Sequence, residues 1–202
     1  MKYLIGLVGA NSKASTNRKL LQYMQKHFAN QAQIELVEIK DFPLFNKPAD
    51  KTLPDCVKVV SEKIAASDGV IIATPEYDHA VPASLINALN WLSYGNFPFV
   101  DQPVMIVGAS YGTLGSSRAQ MHLRQILDAP ELKARIMPSS EFLLGHSLSA
   151  FDEDGNLNNS EMVAKIDGLF ADFMIFIQII SQLQNSKELD KKAAAEFSWE
   201  NI

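Results

Sequence analysis

Short, mainly apolar blocks alternate along this chain with longer segments in which apolar residues recur every three or four positions. Continuous apolar runs are typical of strands buried on both faces of a parallel sheet. The wider spacing is typical of helices that bury one side. The predicted strands are residues 3–8, 34–39, 69–74 and 104–107, with a fifth at either 134–137 or 142–144. The predicted helices are residues 16–28, 54–66, 82–94, 115–127 and 161–183.

The regular alternation of strand and helix implies a parallel sheet with helices on both faces. Because crossover connections are right-handed, five strands favour the doubly wound order 2-1-3-4-5. We therefore predict an α/β, three-layer sandwich over residues 1–183. A tail that is first polar and then aromatic follows at residues 184–202.

This strand order brings three loops to one edge of the sheet. The first and third strands are neighbours whose following helices lie on opposite faces, so a crevice opens at their carboxyl ends, beside the loop of the fourth strand. The loops that converge there span residues 9–17, 75–82 and 109–115. We expect a ligand site at this position.

The first loop has the composition of a phosphate site. Free N–H groups and the dipole at the start of a helix attract an anion. The small hydroxyl and amide side chains that could add donors are Asn11, Ser12, Ser15, Thr16 and Asn17. Ser15 or Thr16 could instead serve only as an N-cap. The loop has neither the Walker A pattern nor the glycine-rich dinucleotide fingerprint.

The second and third loops could border a planar ring. The candidate residues are Pro75, Glu76, Tyr77 and Asp78 in the second loop and Ser110, Tyr111, Gly112 and Gly115 in the third. Glycines let the backbone come close to a ligand. The second loop could also be an ordinary turn. A phosphate loop beside two such loops suits a mononucleotide with a flat head, and FMN is the natural candidate.

Arg118 follows the third loop in the first turn of a predicted helix. A cation at this end of a helix opposes the helix dipole. We therefore expect Glu76, Asp78 or an anionic ligand to compensate it, unless solvent alone does so.

The charge, cysteine and histidine content of the chain excludes several kinds of binding partner and site. The chain has 202 residues with a formal net charge of -5 and no basic tract, which argues against nucleic acid and anionic membranes as partners. One cysteine, Cys56, excludes an intramolecular disulfide and a cysteine-rich metal site. The four histidines lack metal-ligand spacing, and only His79 lies beside one of the three loops. We expect a cytoplasmic protein without a metal.

The three loops also carry motifs in a familiar order and spacing. The matching residues are Gly9, Ser15 and Asn17; Pro75, Glu76, Tyr77, Pro82, Leu85, Asn87, Ala88 and Trp91; and Ser110, Gly112, Gly115, Arg118, Ala119, Gln120, Leu123 and Arg124. With these motifs the sequence resembles the NADPH-dependent FMN reductase family, which includes flavin, quinone, azo-dye and chromate reductases. The similarity spans roughly residues 1–180. Ser12 stands where the family has an arginine, and Lys13 or Arg18 could replace that charge.

The resemblance implies a flavodoxin-like fold, FMN as cofactor and NADPH or NADH as co-substrate. Ser12, Ser15, Thr16 and Asn17 would hold the FMN phosphate, and residues 75–78 and 110–115 would border the ring. Electrons would pass from the nicotinamide through FMN to a flavin, quinone, azo compound or metal oxyanion. Because FMN carries the chemistry, no catalytic side chain is assigned.

Two other functions would use the same pocket. A non-enzymatic electron carrier of the flavodoxin kind would bind FMN but lack a nicotinamide site. A flavin-sensing protein would bind FMN without turnover. The last predicted helix is apolar on nearly every side, more than one sheet face would cover, so we also predict a homodimer, as is usual in the family.

Overall fold

The structure is a computed structural model that describes residues 1–183 and 187–196. The strands are β1 (Lys2–Val8), β2 (Ala32–Glu38), β3 (Gly69–Ala73), β4 (Pro103–Ala109), β5 (Arg135–Ile136) and β6 (Phe142–Leu144). The helices are α1 (Thr16–His27), α2 (Asp55–Ala66), α3 (Ala83–Leu92), α4 (Ser117–Leu127), α5 (Ser160–Ser181) and α6 (Lys187–Glu196). Among these residues, no helix combines the length and apolar character that a membrane span requires.

The strands form one parallel sheet in the order β2-β1-β3-β4-β5, which confirms the predicted flavodoxin-like topology. Both candidates for the fifth strand are strands. β5 pairs with the start of β4 at Pro103 and Val104, and β6 pairs with its end at residues 107–109. The fifth position of the sheet is therefore filled by two short pieces.

Each face of the sheet carries its own core, because successive side chains of a strand point to opposite sides. Ile5 and Leu7 of β1 belong to the core that contains apolar residues of α2, α3 and α4. Leu4 and Val8 belong to the core that contains those of α1 and α5. The sheet is thus covered on both faces, as its apolar strands predict.

Part of the predicted tail is a helix that contacts the domain. In α6, Ala194 is buried, and the carboxylate of Asp190 lies 2.5 Å from the amine of Lys133. Residues 184–186 and 197–202 of the tail lie outside the described residues.

Candidate functional site

A cleft of about 550 Å³ lies where the loops after β1, β3 and β4 converge. Its lining residues are Ser12, Ser15, Thr16, Asn17, Pro75, Glu76, Tyr77, Asp78, His79, Ala109, Ser110, Tyr111, Gly112, Thr113, Leu114 and Arg118. All of the predicted site residues except Asn11 and Gly115 are in this set. Its size lies within the range of small-molecule and cofactor sites.

The first loop leads into α1, and the first residues of α1 line the cleft. Ser15 is the N-cap, and its hydroxyl accepts a hydrogen bond from the backbone N–H of Arg18 at 3.2 Å. The first N–H groups of a helix have no partner within the helix, and the helix dipole makes this end attractive to anions. Ser12 and Ser15 add hydroxyl groups beside these amides. This corner of the cleft therefore has the donors that a phosphate requires.

The side chains of Asn17 and Thr16 connect the start of α1 to β4 and to the segment after β6. The amide of Asn17 donates to the carbonyl of Ala109 at 2.8 Å and accepts from the N–H of Ala109 at 2.9 Å. The hydroxyl of Thr16 lies 2.9 Å from that of Ser147, in the segment after β6. These contacts fix α1 against β4. The sequence analysis missed Ser147, because only the folded chain shows that the segment after β6 reaches α1.

Arg18 is engaged by Glu38 and by the first loop, so its charge is not free to bind a ligand there. Its guanidinium donates to both carboxylate oxygens of Glu38, at 2.5 and 2.9 Å, and to the carbonyl of Ser12 at 2.8 Å. The hydrogen bond with Glu38 raises the pKa of Arg18 further. Lys13, the other suggested replacement for the family arginine, is not among the residues that line the cleft.

The second loop is a tight hairpin turn that presents Tyr77 to the cleft. Tyr77 and Ala80 exchange two backbone hydrogen bonds, at 3.2 and 2.9 Å. Between them, Asp78 and His79 have φ angles of 50° and 63°, the left-handed values that a type I′ turn requires at both central positions. Tyr77 lines the cleft and is 52% exposed.

Glu76 connects this loop to the start of α4. Its carboxylate accepts from the backbone N–H groups of Arg118 at 2.9 Å and Ala119 at 3.3 Å, and it lies 3.4 Å from the Arg118 guanidinium. Burial raises the pKa of Glu76, but the two backbone donors, His79 and the charge of Arg118 lower it by more, so the pKa lies below its ordinary value. The expectation that a carboxylate compensates Arg118 is confirmed. The guanidinium also contacts Nδ1 of His79.

Two glycines of the third loop differ in their surroundings. Gly115 has a φ of 56°, and a Cβ there would lie 2.4 Å from the backbone of Leu143, so this glycine allows α4 to begin against β6. At Gly112 a Cβ would meet nothing within 4 Å, and Gly112 lines the cleft. Gly112 therefore leaves open space beside the backbone where a ring could lie. Gly115, predicted to border the ring, has a packing role.

The described residues contain no group of three or more side chains that could hold a metal ion. The cleft offers hydroxyls, backbone amides, aromatic rings, one histidine and one arginine, together with the carboxylates of Asp78 and of Glu76, which is engaged by the start of α4 and by Arg118. This combination fits a flat, anionic organic cofactor.

Comparison with known proteins shows that most of the chain is similar to flavin-dependent reductases. Residues 2–149 match the family described as NADPH-dependent FMN reductase. The subunit CrdA of the NADH:(hydroxy)cinnamate reductase of Vibrio ruber is 54% identical over 200 residues, covering 99% of this chain and 98% of that protein. The NADH-dependent flavin reductase subunit 2 of Lactobacillus johnsonii is 41% identical, covering 87% and 97%.

A solved structure supports the fold and the class of enzyme. FerB, a flavoenzyme NAD(P)H:(acceptor) oxidoreductase from Paracoccus denitrificans, superposes with a TM-score of 0.79 at 26% identity. The alignment covers 88% of this chain and 98% of that one.

Proposed function

This chain belongs to the NADPH-dependent FMN reductase family, and from that premise we propose which of its residues hold the flavin and which nicotinamide it uses. It is an NAD(P)H-dependent reductase that moves electrons through FMN to a small acceptor. The relatives named above are reductases, which favours an enzyme over an electron carrier or a flavin sensor. A flavin, quinone, azo compound or metal oxyanion remains the proposed class of acceptor.

The FMN phosphate is held at the start of α1 by Ser12, Ser15 and the free backbone amides of the first turn. The observation that carries this assignment is that the open end of α1 forms one corner of the cleft, whereas the side chains of Thr16 and Asn17 are already engaged elsewhere. Thr16 and Asn17 then contribute through their backbone amides. The helix dipole supports the phosphate without a lysine or arginine side chain.

The isoalloxazine ring lies between the second and third loops. Residues 75–78 border one side, with Tyr77 beside the ring, and residues 110–112 border the other, where Gly112 leaves space. When bound, FMN takes a hydride from the nicotinamide and releases electrons to the acceptor. The protein's part is to orient the ring and to keep one face accessible. Glu76 holds the second loop in place through its bonds to α4.

NADH is the proposed electron donor. An enzyme that prefers NADPH needs a cation for the 2′-phosphate, usually an arginine. Among the described residues that line the cleft, Arg118 is the only arginine and there is no lysine. Arg118 is also engaged by Glu76 and His79. The Vibrio ruber and Lactobacillus johnsonii proteins are named for NADH, and FerB is named for NAD(P)H.

A charge placed at the N-cap of α1 tests the phosphate assignment. Aspartate caps a helix about as well as serine does, so Ser15→Asp should leave α1 intact while it repels a phosphate. We expect FMN to bind about tenfold more weakly, or worse, and riboflavin, which has no phosphate, to be unaffected. The measurement is flavin titration of the apoprotein by fluorescence quenching.

Asn159→Asp is the matched control. Asn159 caps α5 by accepting from the N–H groups of Glu161 and Met162, and it is not among the residues that line the cleft. The same charge at this cap should leave FMN affinity unchanged. Equal weakening of FMN and riboflavin in Ser15→Asp, or no weakening of either, would refute the phosphate assignment.

An anaerobic titration tests the donor. NADH should reduce the FMN of the holoprotein, seen as loss of visible flavin absorbance, at lower concentration than NADPH. Reduction by NADPH alone would refute the NADH proposal, and reduction by neither would refute the reductase activity.

We further propose a homodimer in the cytoplasm. Ile175 and Ile179 of α5 are 56% and 55% exposed. Residues spaced by four lie on one side of a helix, so these two form an apolar stripe that a second copy would cover. A chain with a single cysteine also suits a reducing compartment.

A further inference from the structure

The tip of the second loop brings two polar side chains, those of Asp78 and His79, to the wall of the cleft. We propose that these two side chains bind the carboxamide group of the nicotinamide, with His79 donating to its oxygen and Asp78 accepting from its nitrogen. The inference rests on the proposed reductase function and adds to it the residues that orient the electron donor.

The backbone of the turn favours smaller residues at these two positions. The central residues of a type I′ turn are most often Asn-Gly, because both need a positive φ. Here φ is 50° at Asp78 and 63° at His79, values that glycine adopts at no steric cost. Residues other than glycine that are held in this region are concentrated at ligand clamps and active sites. The turn therefore points to a role for these side chains outside the turn itself.

The contact with Arg118 determines which nitrogen of His79 carries the proton. A guanidinium is always protonated and only donates, so Nδ1 of His79, which it contacts, is the acceptor. The carboxylate of Glu76 lies 3.5 Å from the same nitrogen, beyond the usual hydrogen-bond distance. A neutral imidazole that accepts at Nδ1 has its N–H at Nε2. His79 is therefore a hydrogen-bond donor through Nε2.

This N–H group is available to a ligand. The side chain of His79 is 74% exposed, and its polar contacts with other described residues are those of Nδ1 with Arg118 and Glu76. Glu76 in turn binds the Arg118 guanidinium and the backbone N–H of the same residue. The imidazole is thus held in place before a ligand arrives, which lowers the cost of binding one.

Asp78 supplies an acceptor beside this donor. Its side chain is exposed and lines the cleft, and it forms no hydrogen bond or ion pair with the other residues that the structure describes. An ionised carboxylate accepts hydrogen bonds and cannot donate them. The turn therefore places one donor and one acceptor on adjacent residues.

A primary amide matches this pair of groups. Its carbonyl oxygen accepts and its NH₂ group donates, and the nicotinamide ring carries such an amide. The charges of Glu76 and Arg118 cancel and His79 is neutral in this tautomer, so Asp78 leaves one negative charge at the tip of the loop. A metal oxyanion would be repelled by that charge, and a quinone has no N–H for the carboxylate. The pair thus favours the nicotinamide over the electron acceptor.

The two residues follow the part of the loop assigned to the flavin ring. Tyr77, which precedes Asp78, is proposed to lie beside that ring. A hydride donor has to stack on the flavin, so its carboxamide can reach the tip of the same loop. Fixing the carboxamide fixes the orientation of the nicotinamide, and orientation contributes strongly to the rate of a transfer between two bound groups.

Two substitutions of equal length test the donor. His79→Gln and His79→Met should strain the turn equally, but only glutamine has an N–H at about the position of Nε2. The probe is tetrahydro-NAD, which keeps the carboxamide and cannot donate a hydride. Its dissociation constant from the FMN-loaded protein is measured by the change in flavin absorbance. We expect His79→Met to weaken binding about fivefold and His79→Gln to weaken it by less than about twofold.

An analogue of NADH tests the acceptor. The acetylpyridine analogue has a methyl group in place of the NH₂ group, so it keeps the contact with His79 and loses the contact with Asp78. Anaerobic stopped-flow reduction of the flavin gives the half-saturating concentration of each nucleotide. For the unsubstituted protein this concentration should be about fivefold lower for NADH than for the analogue. Asp78→Gly, which suits a φ of 50°, should make the two about equal.

The reductase proposal and this inference can fail separately. If NADH reduces the flavin but His79→Met and His79→Gln bind tetrahydro-NAD alike, or Asp78→Gly still discriminates, the carboxamide inference is wrong and the reductase stands. If NADH does not reduce the flavin but His79→Met still weakens the binding of tetrahydro-NAD, the reductase is wrong and the contact stands. An effect of His79→Met confined to flavin reoxidation by a quinone would assign His79 to the acceptor and overturn the inference.

Discussion

At the scale of single residues, Glu76 links the second loop of the cleft to α4. Ser116, the N-cap of α4, has a left-handed φ of 68°, and its side chain makes no capping bond. Glu76 supplies the missing cap from another loop, through its bonds to the N–H groups of Arg118 and Ala119. A residue that borders the cleft therefore also stabilises the next helix.

Glu76→Gln should lower the free energy of unfolding of the apoprotein by about 1 kcal/mol at pH 7. The amide can still accept a hydrogen bond, but it loses the charge that interacts with the helix dipole and with Arg118. Urea unfolding of both proteins measures the difference. Asp78→Asn, which removes a carboxylate from the neighbouring turn, should leave stability nearly unchanged.

The effect of Glu76→Gln should depend on pH in a defined direction. Because the pKa of Glu76 is lowered in the folded protein, its ionised carboxylate adds stability above its ordinary pKa of 4.5. That contribution is lost as the pH falls through the lowered pKa. The difference between the two proteins should thus be constant near neutrality and shrink below pH 4.5. A difference that persists unchanged in acid would show that the charge of Glu76 is not its source.

Sequence reasoning identified most of the residues that line the cleft, and Asn11 and Gly115 are the predicted residues that do not line it. Ser12, Ser15 and the second loop could be predicted, because a helix start and a strand end have local signatures. The pairing of Asn17 with Ala109 could not, because it depends on which strand lies beside α1 in the folded chain. Gly115 likewise has its reason in Leu143, which is distant in sequence.

At the scale of elements, a single arginine supports the break between β5 and β6. The guanidinium of Arg124 donates to the carbonyl of Met137 at 3.1 Å and to the carbonyl and hydroxyl of Ser140 at 2.6 and 3.0 Å. Burial lowers the pKa of Arg124, while Glu141 raises it. The side chain from α4 thus replaces the hydrogen bonds that the interrupted strand lacks.

Arg124→Met should lower the free energy of unfolding by about 2 to 3 kcal/mol, because two carbonyls lose a charged donor. The change should also weaken FMN binding, since β6 supports the third loop through the bond from the N–H of Ser110 to the carbonyl of Leu144. Urea unfolding and flavin titration measure the two effects. Gln125→Met, at the exposed neighbouring position, should change neither. An unchanged free energy of unfolding in Arg124→Met would contradict this prediction, because it would mean that water donates hydrogen bonds to these carbonyls as effectively as Arg124 does.

The broken strand also shows what an apolar pattern cannot decide. Residues 134–137 and 142–144 were alternatives for one position in the sheet, since each is long enough for a strand. Both pair with β4, because β4 has seven residues and its two ends accept separate partners. The Lys187–Glu196 helix could not be predicted either. Its ion-pair partner Lys133, and the residues of α3 and α4 that line a cavity together with it, are distant in sequence.

At the scale of the whole molecule, the exposed apolar stripe on α5 is the surface on which the proposed dimer depends. The opposite side of this helix is buried by Ile166, Phe170, Phe173 and Ile177, which belong to the core against the sheet. Ile175 and Ile179, on the other side, are 56% and 55% exposed. In the proposed dimer, a second copy would remove the apolar surface of these two side chains from water.

If the proposed dimer forms through this stripe, the double variant Ile175→Glu/Ile179→Glu should be a monomer. Placing four charges across a two-fold interface opposes association, while the buried side of α5 is untouched. Sedimentation equilibrium should show the mass fall from twice 22.4 kDa to 22.4 kDa with secondary structure retained. Ala164→Glu/Lys165→Glu, exposed positions in the first half of the same helix, should remain dimeric. A monomeric unsubstituted protein at micromolar concentration would refute the dimer, and a dimeric double variant would place the interface on another face.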